Sequence, residues 1–177
     1  MLRKLSLVAV LVLAGMASGV TAAQADSGPQ TFAFLAGTGP VLCALDPSAC
    51  PDVARADNGD TVQIAGSGKL SIHDKTVTGG GTFVHQAPDG TVRATGSWTA
   101  TSLLSFTTYG TQPDLPSNLF GGLARIRVHL SAGPDAILEI DCEIGKAPGG
   151  HSEGVRLVVD NGLNFNQKVS GFTVFVG

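Results

Sequence analysis

Two runs of ionisable residues stand out because each repeats at every second position. Arg125, Arg127 and His129 alternate with Ile126, Val128 and Leu130; Glu139, Asp141 and Glu143 alternate with Leu138, Ile140 and Cys142. A period of two is that of a β-strand, whose successive side chains point to opposite faces. An antiparallel hairpin centred on Pro134 pairs His129 with Glu139, Arg127 with Asp141 and Arg125 with Glu143. Its other face pairs Leu130 with Leu138, Val128 with Ile140 and Ile126 with Cys142. The charged face has two readings. Turned inward, it is a polar pocket in which Glu139 or Asp141 serves as acid or base beside His129. Turned outward, it is a solvated ladder of ion pairs worth about 0–1 kcal/mol each. Burying six ionisable groups costs far more than burying the apolar face opposite, so the outward reading is favoured. Arg127, His129, Glu139 and Asp141 are thus candidate ligand-binding residues. Tyr109, beside Gly110 and a Pro-rich loop, is a further candidate for a pocket mouth, although an exposed loop tyrosine is the plainer expectation.

Other reactive residue types form no established pattern. His73, His85, His129 and His151 lack the close spacing of a zinc motif, so no metal is expected. His151-Ser152-Glu153 has the residue types of a catalytic triad, but three adjacent residues rarely converge in line. Ala65-Gly66-Ser67-Gly68-Lys69 lacks the earlier glycine of a phosphate loop, and Leu70 stands where Ser or Thr would bind magnesium. No H-E-x-x-H or helix-opening G-x-G-x-x-G occurs. Asp52 to Asp60 is acidic without the ligand spacing of a calcium loop. No catalytic residue is assigned and no cofactor is expected.

Turn signals place the elements that must carry these residues. Asp57-Asn58-Gly59-Asp60, Pro88-Asp89-Gly90, Ala132-Gly133-Pro134-Asp135 and Asp160-Asn161-Gly162 separate β-rich runs. The runs span Thr31 to Ala36, Val41 to Leu45, Thr61 to Ala65, Lys69 to His73, Gly80 to Gln86, Thr91 to Ser105, Ala124 to Leu130, Ala136 to Ile144, Val155 to Val159 and Leu163 to Val176, the last with a bend near Gly171. Ser48 to Ala56 and Ser117 to Leu123 are expected to make a helical turn or two. The fold class is all-β: a single-domain antiparallel β-barrel or β-sandwich of about 8–10 strands, between which periodicity does not choose.

Gly79-Gly80-Gly81 interrupts one strand, although glycine weakens strands. A three-residue Pro-Asp-Gly loop sets Trp98 opposite Gly80; a four-residue loop sets it opposite Gly79, with Gly81 facing Gly96. In either register a missing side chain clears space for the only tryptophan, the alternative being a ligand that crosses a glycine floor.

The first 25 residues read as a secretory leader. Arg3 and Lys4 precede an apolar stretch from Leu5 to Ala17, and Ala23-Gln24-Ala25 is a small-x-small cleavage site. The expected mature domain is 26–177, secreted, with no other run long enough to span a membrane. Without Arg3 and Lys4, 9 of the 11 basic residues remain against 14 acidic ones, a net charge of about −5. Nucleic acid and anionic membranes are therefore not expected partners. Export favours disulfides, and three cysteines allow one internal bridge. Cys43–Cys50, which brackets Asp46-Pro47-Ser48, is slightly favoured over a bridge to Cys142, whose strand position suits a buried thiol.

"CALDPSACPDVARADNGDTVQI", "TGGGTFVH" and "GSWTATSLLSFTTYG" together resemble a group of uncharacterised secreted proteins, mostly bacterial, over about Thr31 to Val176. The resemblance implies no activity. The glycine-rich strand is also similar to the Gly-Gly-x-Gly-x-Phe-like strands of allene oxide cyclase and dirigent-type β-barrels. The expected function is a secreted, non-catalytic domain that binds a small apolar ligand or an extracellular partner, or that has a structural role. The alternative is a barrel enzyme of cyclase or isomerase type acting on a small apolar substrate. A cavity of about 300 Å3 or more with converging polar groups would favour the enzyme.

Overall fold

A computed structural model describes residues 30–131 and 133–177, apart from the side chain of Val41. The expected leader and cleavage site lie outside the described residues. Almost every element is a strand: β1 (Thr31–Ala36), β2 (Asp52–Arg55), β3 (Thr61–Ser71), β4 (Thr76–Gln86), β5 (Val92–Gly110), β6 (Leu119–Leu130), β7 (Asp135–Cys142), β8 (Gly154–Val159), β9 (Asn164–Phe165), β10 (Gln167–Ser170) and β11 (Thr173–Val176). One short helix, α1 (Pro40–Leu45), follows β1. All strands join one antiparallel sheet that closes partly into a ring. The pairings run from β1 through β3, β4, β5, β6 and β11 back to β1. β3 and β6 are long enough to serve two partners on one edge. β3 takes β2 at Thr61–Ile64 and β1 at Gly66–Ser71, while β6 takes β11 at its start and β7 beyond it. β10 extends the sheet from β2, and β8 and β9 extend it from β7.

Alternate inward residues fill the ring with Phe32, Phe34, Ile64, Leu70, Trp98, Ile126, Val128, Leu138, Ile140, Leu157 and Phe175, all essentially buried. The glycines make this possible. Gly81 pairs with Trp98 on one side and Gly66 on the other, and Gly79 pairs with Gly68. The indole covers Gly66, where a Cβ would stand 2.2 Å from its Cζ2, and the Phe34 ring covers Gly68, where a Cβ would stand 2.6 Å from its Cζ. The space over Gly66 and Gly68, the partners of Gly81 and Gly79, is thus occupied by two of the protein's own rings, while a Cβ at Gly79, Gly80 or Gly81 would meet neighbouring backbone.

Several boundaries differ from the sequence expectation for identifiable reasons. The β4–β5 loop has three residues, with Ala87 N–H donating to Thr91 O at 2.8 Å and Gly90 left-handed at φ 85°. A bulge after Val92 inserts one residue, so Trp98 faces Gly81 rather than Gly80 or Gly79. Val41 to Leu45 is part of the helix and not a strand, because Pro40 supplies a pre-set φ in its first turn and Cys43 N–H bonds back to Gly39 O at 2.9 Å. The helical turns expected within Ser48 to Ala56 and Ser117 to Leu123 are replaced by β2 and the start of β6, which satisfy open ladder positions on β3 and β11. Thr61 to Ala65 and Lys69 to His73 merge into β3. The last run divides into β9, β10 and β11, with Gly171 at φ 113° before β11.

The hairpin of β6 and β7 keeps its faces but not its register. Arg125 lies opposite Glu139, Ile126 opposite Leu138, and His129 opposite Asp135. The turn is tighter than one centred on Pro134, and Gly133 N–H reaches Leu130 O at 3.2 Å. Moving a register by an even number of residues leaves each side chain on its original face, so alternation alone does not distinguish these registers.

Candidate functional site

The charged ladder does not form the pocket that its inward reading required. Arg125 Nε donates to Glu139 Oε1 at 3.1 Å, and Arg156 of β8 lies 3.7 Å from Glu139 Oε2. Arg127 pairs with Asp160 at 2.7 Å and not with Asp141. His129 pairs with Asp135 at 2.9 Å and not with Glu139. Arg125 and His129 are exposed and Arg127 is half-buried, so three of the expected group belong to an outer surface.

Asp141 departs from this surface. It lies at the end of β7, where Ile140, Asp141 and Cys142 are all buried and the in-out alternation stops. Its carboxylate gathers groups from three distant segments. Tyr109 Oη donates to Oδ1 at 3.2 Å. Lys168 Nζ donates to Oδ2 at 2.9 Å and also reaches the Ser152 carbonyl. His151 Nδ1 lies 3.0 Å from Oδ2 and 2.9 Å from Tyr109 Oη. An ionised carboxylate only accepts, so His151 carries its proton on Nδ1 in this arrangement. Its Nε2 has no partner among the described residues. Burial, followed by the Asp141 charge, raises the Tyr109 pKa and keeps the phenol a donor. Tyr109 is therefore a buried member of the network rather than an exposed loop residue. Ser152 joins through its carbonyl oxygen, so the His151-Ser152-Glu153 stretch supplies no hydroxyl nucleophile to this set.

Two further carboxyls, Glu153 and Asp52, lie within the electrostatic reach of Lys168. Glu153 accepts Thr173 N–H at 2.6 Å, the Thr173 hydroxyl at 2.9 Å and Glu143 N–H at 2.8 Å. Burial nevertheless raises its pKa, outweighing those bonds and the attraction of Lys168. Asp52 is fully buried, and neither carboxyl oxygen has a hydrogen-bond partner. Burial first, and then the Glu153 charge, push it up to about 8, against the pull of Lys168. Gly171 packs directly on it: a Cβ there would lie 1.9 Å from Asp52 Oδ1.

Glu153 and Thr173 also line a groove of about 610 Å3 between α1, residues 112–119, the end of β7 and β11. Its wall is mainly apolar, with Leu35, Leu42, Leu119 and Val174 inside and Leu45, Leu115 and Phe172 exposed at the rim. The Cys43–Cys50 disulfide ties α1 to the segment entering β2 and thereby holds one wall. Cys142 stands in the opposite wall as a free thiol, pushed up to about 12 by burial. The thiol is thus held in the un-ionised form, which is a poor nucleophile.

Of the candidates read from sequence, the structure brings together Asp141 and Tyr109 and leaves Arg127, His129 and Glu139 outside. It adds Asp52, His151, Glu153 and Lys168. His151 and Glu153 had a signal in their residue types, although not through the triad arrangement. Asp52 and Lys168 resemble surface charges in sequence, because only the packing of β2 and β10 buries them.

No protein-family model, curated protein or solved structure matches the chain. Among the described residues, no group of three or more His, Cys, Asp or Glu side chains could hold a metal ion, and no helix is long and apolar enough to cross a membrane.

Proposed function

We propose that the chain is an exported, non-catalytic β-barrel domain that binds a small, largely apolar molecule in the groove between α1 and β11. The groove itself carries this reading: about 610 Å3 of mainly apolar space with Glu153 and Thr173 on its wall. Small-molecule sites typically have volumes of about 300–1,000 Å3, apolar linings and a few placed polar groups. A ligand that covers Leu45, Leu115 and Phe172 removes exposed apolar surface, and each fully covered side chain contributes up to about 1.5–3 kcal/mol. Glu153 is fixed by three hydrogen bonds and offers a polar contact to a hydroxyl or amine on that ligand. Export is supported by the leader pattern at residues 1–25 and by the disulfide, which suits an oxidising compartment.

Titration with Nile red, a neutral apolar dye, tests the site. The protein should give a saturable blue-shifted emission. Leu45→Asp and Leu115→Asp, both at the exposed rim, should weaken binding at least about tenfold, equivalent to ~1.4 kcal/mol. Absence of saturable binding, or rim variants that bind as the parent does, would refute it.

The second reading is a cyclase or isomerase, favoured by the His151–Asp141–Tyr109 contacts close to Glu153. Native mass spectrometry of protein isolated from its producing cells identifies a bound ligand. Incubating that ligand with catalytic amounts of protein, followed by NMR, separates the readings. An unchanged spectrum supports binding alone, and conversion to an isomer supports the enzyme.

A further inference from the structure

A second cavity, sharing no lining residue with the groove, lies where the ends of β3, β4 and β6 meet β8 and β9. It is a partly open pocket of about 160 Å3, and its wall includes Val62, Phe83, Leu157, Leu163 and Phe165. Apolar protein cavities of about 150 Å3 stay dry and bind benzene, so this volume suits one six-membered ring. His85 is the single polar side chain on the wall.

The orientation of His85 is set from behind. Its Nε2 lies 2.8 Å from Asp60 Oδ2, and Arg93 Nε lies 3.0 Å from the same oxygen. Asp60 is buried, and its charge is met by Arg93. Because the carboxylate accepts, the proton of a neutral His85 is on Nε2 and Nδ1 is left as an acceptor. Nδ1 has no hydrogen-bond partner among the described residues. The Phe165 ring meets the imidazole edge-on, with centroids 5.3 Å apart, and restrains it further.

We propose that this cavity is a second ligand site for a single-ring apolar molecule that donates one hydrogen bond, with His85 Nδ1 as the acceptor. Phenol has this chemistry, and toluene has nearly its shape without the donor. The apolar wall favours both rings. The imidazole distinguishes them, since a lone acceptor in an apolar site rewards a donor and gains nothing from a methyl group. The proposal is independent of the groove and of its occupant.

Methyl NMR spectra of Val62, Leu130 and Leu157 provide the readout, with phenol and toluene titrated separately. Phenol should shift these signals saturably. His85→Phe should weaken phenol at least about fivefold, the loss of roughly one hydrogen bond, while toluene is not weakened. Leu163→Trp, at a partly buried wall position, should remove binding of both and remains informative where His85→Phe does not fold. Nile red bound to the groove should be unaffected by phenol. Absence of saturable shifts, equal weakening of both probes by His85→Phe, binding that survives Leu163→Trp, or displacement of Nile red by phenol would each overturn the assignment.

Discussion

The indole of Trp98 rests on Gly66, a residue of β3 that lies across β4 from it. Trp98 pairs with Gly81, Gly81 pairs with Gly66, and all three share the inner face of the ring. A Cβ at Gly66 would stand 2.2 Å from Cζ2 of an indole that is 1% exposed. Gly66→Ala should therefore destabilise the protein by about 1–3 kcal/mol through overpacking, as measured by urea denaturation. Native Trp98 fluorescence should be blue-shifted. Emission typical of an indole in water, or unchanged stability on Gly66→Ala substitution, would contradict this packing.

Asp141 and Arg127 should respond very differently to truncation, although both belong to the charged alternation. Arg127 and Asp160 form a half-exposed pair, and Arg127→Ala should cost less than about 1 kcal/mol. Asp141 and Lys168 have side chains only 3% and 5% exposed. Asp141→Ala leaves the buried ammonium without its ion-pair partner, bonded only to the Ser152 carbonyl, and should cost about 3–5 kcal/mol. The uniform small cost implied by a fully solvated ladder thus does not extend to Asp141. A double variant, Asp141→Ala with Lys168→Met, should lose less than the sum of its single variants. Additive losses would show that the pair is not coupled.

Stability should fall as pH rises from about 4 to about 8. The folded Asp52 carboxyl titrates at about 8 against an ordinary value of 3.8, so between these values the folded state holds a proton that the unfolded chain releases. Its contribution is therefore fully present below the ordinary value and is lost on approaching pH 8. Glu153, also shifted upward by burial, acts with the same sign. Asp52→Asn should stabilise the protein at pH 8, relative to its effect at pH 5, by at least about 1.4 kcal/mol, the equivalent of one pKa unit. Urea midpoints at the two pH values provide the comparison, and an equal effect at both would refute it.

Non-reducing peptide mapping should recover Cys43 and Cys50 in one crosslinked peptide. Cys142 should resist thiol reagents in the native protein and react on unfolding, because its buried thiol is pushed up to about 12. Cys43→Ser with Cys50→Ser should cost about 2–3 kcal/mol, the loop-closure value for so short a loop. It should also weaken Nile red binding, since α1 forms one wall of the groove. Rapid native labelling of Cys142 would contradict its burial.

The hairpins show where sequence reasoning succeeds and where it stops. Alternation assigns Arg125, Arg127 and His129 to one face and Ile126, Val128 and Leu130 to the other, and the structure keeps that division. It does not set the partner, because registers two residues apart on each strand give the same faces. The β4–β5 loop length is similarly accessible, but the bulge after Val92 is not, and one inserted residue moves Trp98 from Gly80 to Gly81. Pro40 at a helix start is a local signal masked by the β-branched and apolar composition of the next residues.

By itself, the sequence determined the all-β class, the main turns, the apolar and polar faces of the long strands and the pairing favoured for Cys43 and Cys50. These follow from local φ/ψ preference, side-chain period and short separation along the chain. Only the tertiary structure decided that Asp52, Asp141, Glu153 and Lys168 meet, that Tyr109 and His151 join them, and that the groove lies alongside. Burial and charge coupling depend on which distant strands lie against a residue. Lys168 is 27 positions from Asp141, and it becomes its partner only when β10, paired with β2 and lying against β8, brings the ammonium to the end of β7.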